Sequence, residues 1–394
     1  MRFKVEKPYK IFSKTITNDR IAFKFCGLTI SFRVSSNLIK MLDNKKAVKI
    51  QNKYDLSHIK NAKKIIVFLS PFGIGGGIMS FFSLCETSRR LNNNVPCIIS
   101  SYPKAKRIYA YNDKFLNNEK IYRFEQIVDN AINLDEMILH IPEYYAKDFY
   151  KDLTQKDIKF LLSIEKLHIN IMNQNIELMP ESQELYDLYK LSKNITQTIA
   201  HDRYATQKVC DKWQIPTHLF STYVDLSKYK SYIFEEKEKI IAISPDENKH
   251  KNKILKKLKE NLVDWQIITI SNMTFGEFMD LISRAYFTIT FGEGMDGYFS
   301  QPHYVNSIGF AVYNDTFFPN KEWKKLKNIY SSYDDMYHNI IIDIQNYANN
   351  KQKYEQIIQD FMDMITKIYQ KSKFEDNLKR FYKGDYDFLP KAVI

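Results

Sequence analysis

Two carboxylates and three glycines crowd one short stretch, Thr288-Ile-Thr-Phe-Gly-Glu-Gly-Met-Asp-Gly-Tyr-Phe-Ser-Gln-Pro302. Gly292, Gly294 and Gly297 fall within six residues of a chain that has 11 glycines in 394 residues. The run before them, Tyr286 to Phe291, alternates β-branched and aromatic residues and predicts a buried strand. An acid at the carboxyl end of such a strand, in a glycine-rich turn leading into a helix, sits where open α/β sheets place ligands. Glu293 is therefore expected to touch the substrate, with Gly294, Asp296 and Gln301 beside it.

A second glycine cluster, Gly73-Ile-Gly-Gly-Gly77, lies between a strand and a helix. Gly75, Gly76 and Gly77 would let the backbone approach a phosphate whose charge is met by amides at the helix N-terminus. No Gly-Lys-Ser/Thr follows, so this is not a P-loop, and Ile78 stands where a dinucleotide fingerprint needs its third glycine. A tight turn without a ligand is the plain alternative. In Ser244-Pro-Asp-Glu-Asn-Lys-His-Lys-Asn-Lys253, a loop enters a helix at Lys249, His250 and Lys251. Cations there suit diphosphate oxygens, or else simply solvate a basic helix start. Asn170, Asn173 and Asn175, with His168, surround a strand end and could hydrogen-bond sugar hydroxyls, although asparagine also favours turns. His140, before Pro142-Glu143, and His201, opening His201-Asp-Arg203, are candidate catalytic groups, against the general rule that a lone histidine is structural. Asp385-Tyr-Asp387 has the form of a metal-binding pair but lies in the tail and is expected to be surface.

These residues need elements to hold them. Residues 1–58 predict a small extension with a hairpin, Ile21–Cys26 against Leu28–Arg33 around Gly27, then a helix near Ser36–Leu42. Residues 59–235 predict a Rossmann-like domain: strand Lys64–Ser70, helix Ile78–Leu91 and strand Val95–Ser100 form one βαβ unit. Strand character recurs at Glu136–Ile141, Lys159–Ser163, Leu167–Ile171 and Asn194–Ile199. Residues 236–345 repeat the pattern, with strands at Lys239–Ser244, Trp265–Ile270, Tyr286–Phe291 and Gly309–Tyr313 and helices at Lys251–Leu262 and Thr274–Arg284. Residues 346–394 predict an amphipathic helical tail packing back across the hinge. The expected fold class is α/β, two doubly wound domains facing across a cleft.

Composition sets limits. Apolar residues are 44% and charged residues 26%, enough for packed cores. No run of 18 apolar residues exists, so no membrane-spanning helix is expected. Cys26, Cys85, Cys97 and Cys210 show no metal spacing, and few scattered cysteines suit the cytoplasm. The net charge of +12 is spread along the chain. It predicts a solvated basic surface and, next, peripheral contact with an anionic inner membrane. No zinc-finger spacing or RNA-binding aromatic motif points to nucleic acid.

Taken together, the glycine loop after the first strand, the basic loop opening the second domain and the late acid-glycine turn resemble the retaining GT-B glycosyltransferases (family 4-like), which include sucrose and glycogen synthases. In that family two glutamates seven residues apart mark the donor site; here the pattern reads Glu293-x7-Gln301. The resemblance implies that Glu293 lies near the transferred sugar and that position 301, an amide here, meets the nucleotide ribose. It also implies a basic pair for the diphosphate, of which Lys249 matches the lysine while Ser244 stands at the arginine position. The 1–58 preface looks like that of many bacterial surface-glycan glycosyltransferases. The resemblance thus implies a metal-free, cofactor-free transfer of a sugar from a nucleotide-sugar donor to a glycan or lipid-linked glycan acceptor, as in capsule or lipopolysaccharide synthesis. The alternatives are a non-catalytic GT-B partner in a glycan-assembly complex, a GT-B epimerase or an inverting transferase.

Overall fold

The computed structural model describes residues 12–16, 20–25, 28–33, 36–70, 77–106, 108–111, 119–221, 223–271 and 273–391. At the N-terminus β1 (Phe12–Ile16), β2 (Arg20–Phe25) and β3 (Leu28–Arg33) form an antiparallel sheet in that order. The expected hairpin is β2–β3, with Phe25 opposite Leu28, and β1 adds a third strand on β2. The helix that follows runs from Ser36 to Gln51, well beyond its expected end at Leu42.

The second sheet is parallel throughout: β4 (Lys64–Leu69), β5 (Cys97–Ser100), β6 (Ile121–Tyr122), β7 (Glu136–Pro142), β8 (Lys166–Asn173), β9 (Asn194–Ile199) and β10 (Thr217–Leu219). They lie in the order β10-β9-β8-β7-β4-β5-β6. Winding therefore reverses between β4 and β7, where a doubly wound sheet opens its binding crevice. The central strand β4 is apolar on both faces because both are covered: Ile65, Val67 and Leu69 feed one core, Ile66 and Phe68 the other. Lys159–Ser163, expected as a strand, is instead the second half of the helix Gln155–Ser163. Thr154 opens that helix as a capping box, its hydroxyl accepting the Asp157 N–H at 3.2 Å while the Asp157 carboxylate accepts the Thr154 N–H at 2.8 Å. This start signal outweighs the short apolar run Phe160-Leu-Leu162.

The third sheet, also parallel, contains β11 (Glu238–Ile243), β12 (Gln266–Thr269), β13 (Ala285–Ile289), β14 (Ile308–Val312) and β15 (Ile329–Tyr330) in the order β12-β11-β13-β14-β15. Its reversal falls between β11 and β13. The expected single tail helix is broken at Tyr369-Gln370. Lys351–Ile368 stays on the third sheet, where Phe361 and Ile365 meet Phe299 and Trp323. Lys371–Tyr382 returns to the second sheet, burying Phe374, Leu378 and Phe381 against Phe68, Phe81 and Phe82. Beyond it Phe388 pairs with Thr217 of β10. Asp387 accepts the Leu219 N–H at 2.8 Å and lies 2.9 Å from His218 Nδ1 and 2.7 Å from Arg380 Nη1. Asp385 is exposed as expected, but it and Asp387 share Arg380 and fasten the tail. Among the described residues no helix is long and apolar enough to cross a membrane.

Candidate functional site

The carboxyl ends of β11 and β13 meet at the reversal of the third sheet. Ser244, just past β11, accepts the Phe291 N–H on its hydroxyl at 2.9 Å, and Asn248 donates to the Phe291 carbonyl at 3.3 Å. The loop is therefore stitched to the strand that carries the glycine turn. Lys251 completes the stitching: it is 7% exposed, and its ammonium donates to the carbonyls of Ser244 and Asp246 at 2.9 and 2.8 Å. This corrects the expectation that Lys251 meets a diphosphate, because its charge is spent on the loop itself. His250 stacks on Tyr333 with ring centres 5.0 Å apart. Lys249 is exposed and free to turn toward a ligand from the same loop.

Glu293 stands exposed on the next turn. Crowding by protein raises its carboxyl above the ordinary range, and the charges of Asp246 and Glu177 add to the rise. Asp246 and Asp296 flank Gly292 so closely that a β-carbon there would lie 2.9 Å from Asp246 Oδ2 and 3.1 Å from Asp296 Oδ2. Asp246 Oδ2 is buried without a hydrogen-bond partner among the described residues. Asp296 has a different task. It caps the helix Gly297–Ser300 by accepting the Phe299 N–H at 3.0 Å, and its other oxygen accepts a hydrogen bond from the Thr290 hydroxyl. Burial pushes its carboxyl up to about 7 against those donors. Gly294 is buried at φ +91°, where a β-carbon would stand 2.7 Å from the Val312 carbonyl oxygen. It shapes the turn rather than facing the cleft. Gln301 opens the 3-10 turn Gln301–Val305 and folds over Gly297, its Nε2 3.0 Å from where a β-carbon would be.

On the second sheet, Gly75 and Gly76 lie outside the described residues, and Gly77 is the first residue of the helix Gly77–Leu91. Two candidates prove to be interior. His140 is fully buried, stacks on Phe68 at 4.3 Å and lies 5.6 Å from the Phe381 ring of the returning tail helix. Its Nδ1 is 2.9 Å from Asn170 Nδ2, and burial holds its pKa well below the ordinary value. Asn170, also fully buried, donates further to Thr198 and accepts from Thr196, both at 2.9 Å, and Thr196 is 2.7 Å from His168 Nε2. These even-numbered residues point to the sheet face under the tail helix, so neither His140 nor Asn170 reaches the strand ends. Alternation along the strand decides this.

Asn173, Asn175 and His201 do collect at the strand ends. Asn173 ends β8, is 2% exposed, and neither its side-chain oxygen nor its nitrogen has a partner among the described residues. The same holds for the buried Ser221 hydroxyl nearby in a small cavity they share. Asn175 gives its N–H to Glu143 Oε1 at 3.1 Å and accepts the Glu177 N–H on Oδ1 at 3.0 Å. His201 is fixed by a hydrogen bond with the Gln174 backbone, and burial lowers its pKa. Directly after it, Tyr204 donates to the Thr316 carbonyl at 2.8 Å and Arg203 to the Phe318 carbonyl at 3.2 Å, both beyond β14. The carboxyl ends of the two sheets thus face one cleft.

Glu143, Glu177 and Asp246 were not singled out from the sequence. Glu143 follows β7 at the reversal of the second sheet, is 3% exposed, and burial pushes its carboxyl up to about 7. Asp246 follows β11 at the reversal of the third. Glu143 and Asp246 share a signal, an acid within three residues of a strand at a reversal, which becomes visible once the strand order is known; Glu177, four residues past β8, does not carry it. Among the described residues no group of three His, Cys, Asp or Glu side chains is placed to hold a metal ion.

Two parallel doubly wound domains meeting across a cleft at their carboxyl ends define the GT-B fold. Among solved structures, the chain is similar to an alpha-glucosyltransferase in complex with UDP and a 13-mer DNA containing a HMU base. The TM-score is 0.52 with 9% identity, covering 80% of this chain and 99% of that one. It is similar to the same degree to sucrose-phosphate synthase from Thermosynechococcus elongatus, at a TM-score of 0.52 and 7% identity, with 82% and 99% covered. At such identity the likeness is one of fold. No protein-family model matches the chain, and no curated protein does.

Proposed function

We propose that the protein is a glycosyltransferase that moves a sugar, of hexose type, from a nucleotide-sugar donor to a hydroxyl of a growing bacterial surface glycan. The observation that carries this reading is the cleft itself, across which Arg203 and Tyr204, beyond β9, bond to the Phe318 and Thr316 carbonyls beyond β14, with Glu293 exposed at the reversal of the third sheet. The alpha-glucosyltransferase of similar fold is in complex with UDP, which supports a nucleotide-bearing donor.

In this reading Lys249 and the amides at Gly75–Gly77 offset the charge that grows on the departing diphosphate. Glu293 orients the donor-sugar hydroxyls, Gln301 meets the ribose, and Asn173 and Asn175 hold the acceptor. The acceptor oxygen attacks on the face the diphosphate leaves, with retention and without a metal, and closure of the domains limits hydrolysis. The basic surface rests against an anionic inner membrane where the acceptor is lipid-linked. A second reading, a non-catalytic GT-B partner, draws on the commitment of Lys251 to its own loop and the amide at position 301.

The test is a thermal-shift screen with UDP-, GDP-, CMP- and dTDP-sugars. At least one is expected to raise the melting temperature, since a ligand of the native state must stabilise it. Turnover by the same donor excludes the second reading, and the anomeric configuration of the product, read by NMR, decides retention. If no donor shifts the melting temperature at millimolar concentration, the donor-site assignment fails.

A further inference from the structure

The loop after β8 is held with unusual care for a surface segment. Glu143 is buried where the second sheet reverses, and it aims its carboxyl at this loop, accepting the Asn175 N–H at 3.1 Å. Asn175 in turn accepts the Glu177 N–H at 3.0 Å on its side chain, and its carbonyl accepts the Leu178 N–H at 3.0 Å. Gln174 fastens His201 on the neighbouring loop, whose next residues, Arg203 and Tyr204, bond across the cleft to Phe318 and Thr316. Phe318 lies against Gly294, the residue after Glu293. The chain of contacts ends at the Glu177 N–H, and the exposed Glu177 carboxylate acts electrostatically on Glu293 from the opposite domain.

We infer that Glu177 is the acceptor-side partner of Glu293, that it accepts a hydrogen bond from the incoming hydroxyl, and that Glu143 is the positioning residue that sets it there. This rests on the glycosyltransferase reading and narrows its substrate. The charges of Glu177 and Asp246 both bear on Glu293 here, while the buried Lys251 ammonium is bound to the Ser244 and Asp246 carbonyls and Lys249 is taken by the diphosphate in the glycosyltransferase reading. Hydroxyl and ammonium groups satisfy carboxylates, whereas a second anion there meets uncompensated like charge. The acceptor's terminal sugar is therefore neutral or amino-bearing, and acidic sugars are refused at this position. In the transfer step the acceptor oxygen forms the new bond to the anomeric carbon, and the bond from that carbon to the diphosphate oxygen breaks. The electron pair leaves with the diphosphate, which also takes the hydroxyl proton, so Glu177 orients the hydroxyl without keeping its proton.

The experiment uses the full chain and the donor that raises its melting temperature, with p-nitrophenyl glucoside and p-nitrophenyl glucuronide as matched neutral and acidic acceptor probes. Where neither accepts, hydrolysis of the donor, with water as acceptor, is followed instead. The wild type should prefer the glucoside by roughly tenfold or more, as expected for a like-charge clash. Glu177→Gln should narrow that preference to within about threefold and raise the glucoside KM, with the donor-induced melting shift unchanged; with water, it should lower hydrolysis. Glu143→Leu should raise acceptor KM in the same direction, and Glu143→Gln, which keeps an accepting oxygen for the Asn175 N–H, should restore it. An unchanged KM and preference, or unchanged hydrolysis, in Glu177→Gln overturns the inference while leaving the donor reading intact. A wild type that no donor stabilises overturns both, and the melting shift tells the two failures apart.

Discussion

The two sheets treat polar residues in opposite ways. The second sheet buries them within its face: His140, Asn170, Thr196 and His168 form a hydrogen-bonded row under the tail helix, and its strand ends carry Asn173 and a largely buried Glu143. The third sheet is apolar along its strands and concentrates its polarity just beyond them, at Asp246, Glu293 and Asp296. The contrast shows that a polar side chain in a strand is not evidence of a site; its position relative to the strand end and to the point of reversal is. Substitutions in the row should therefore cost stability, and those beyond the strand ends should cost function.

The sharpest break of that comparison sets Glu293→Gln against Asn170→Leu. Glu293→Gln should lower transfer by about 100-fold or more, the scale seen when one positioned polar group is lost from a reacting centre, without moving the melting temperature of the free protein. Asn170→Leu strips His140 and Thr196 of partners in a fully buried place and should lower unfolding free energy by about 2–4 kcal/mol. Turnover per folded molecule should be unchanged. Urea titration and single-donor kinetics on both variants check this. Equal kinetic losses in both would show that the buried row belongs to the site.

A second pair separates a glycine needed for its conformation and close packing from one needed for its conformation alone. Gly294→Ala forces a β-carbon against the Val312 carbonyl at φ +91° and should cost about 2–4 kcal/mol and weaken donor stabilisation with it. Gly384 has φ +77° with nothing within 4 Å of a β-carbon, so Gly384→Ala should cost no more than about 1–2 kcal/mol and leave donor binding alone. Both are read from thermal melts with and without donor.

Much of the architecture was legible because buried parallel strands are near-continuous apolar runs: β4, β11, β13 and β14 lie within a residue or two of their expected places. Glu293 was legible for the same reason, since the acid and its glycines follow such a run. What was not legible depends on relations between distant segments. His140 and Asn170 lie near the close of a strand, but which face they occupy, and that Phe381 covers it, is decided by a helix over 200 residues later. Lys251 has the position of a diphosphate ligand in the sequence because its engagement with the Ser244 and Asp246 carbonyls has no sequence signature. Glu177 is one turn residue among several until the opposite domain places Glu293 before it.

The smallest expected effect concerns pH, and it contrasts the two ends of the third sheet. At the carboxyl end, burial raises Asp296 from an ordinary 3.8 to about 7. Between those values the folded state binds more protons than the unfolded one, so stability should fall as pH rises through that window. At the amino end, Lys237 is buried with its ammonium among the Ser283 and Val305 carbonyls and the Ser307 hydroxyl, with no carboxylate contact among the described residues, and burial lowers it from 10.5 to about 7. There the unfolded state binds more protons between about 7 and 10.5, so stability should rise with pH. Taken alone, the two groups give a shallow minimum near neutrality, each limb limited to about 1.4 kcal/mol per pH unit per group; the buried histidines His140, His168, His201 and His303, all lowered by burial, oppose the acid limb, which is therefore read as the difference between wild type and variant. Asp296→Asn should flatten the acid limb, less the share kept by Glu143, which burial also raises to about 7. Lys237→Met should flatten the alkaline limb alone. Urea midpoints at about pH 5, 7 and 9 for the three proteins measure both slopes, and an alkaline rise that survives Lys237→Met would mean that Lys237 stays charged in its carbonyl cage.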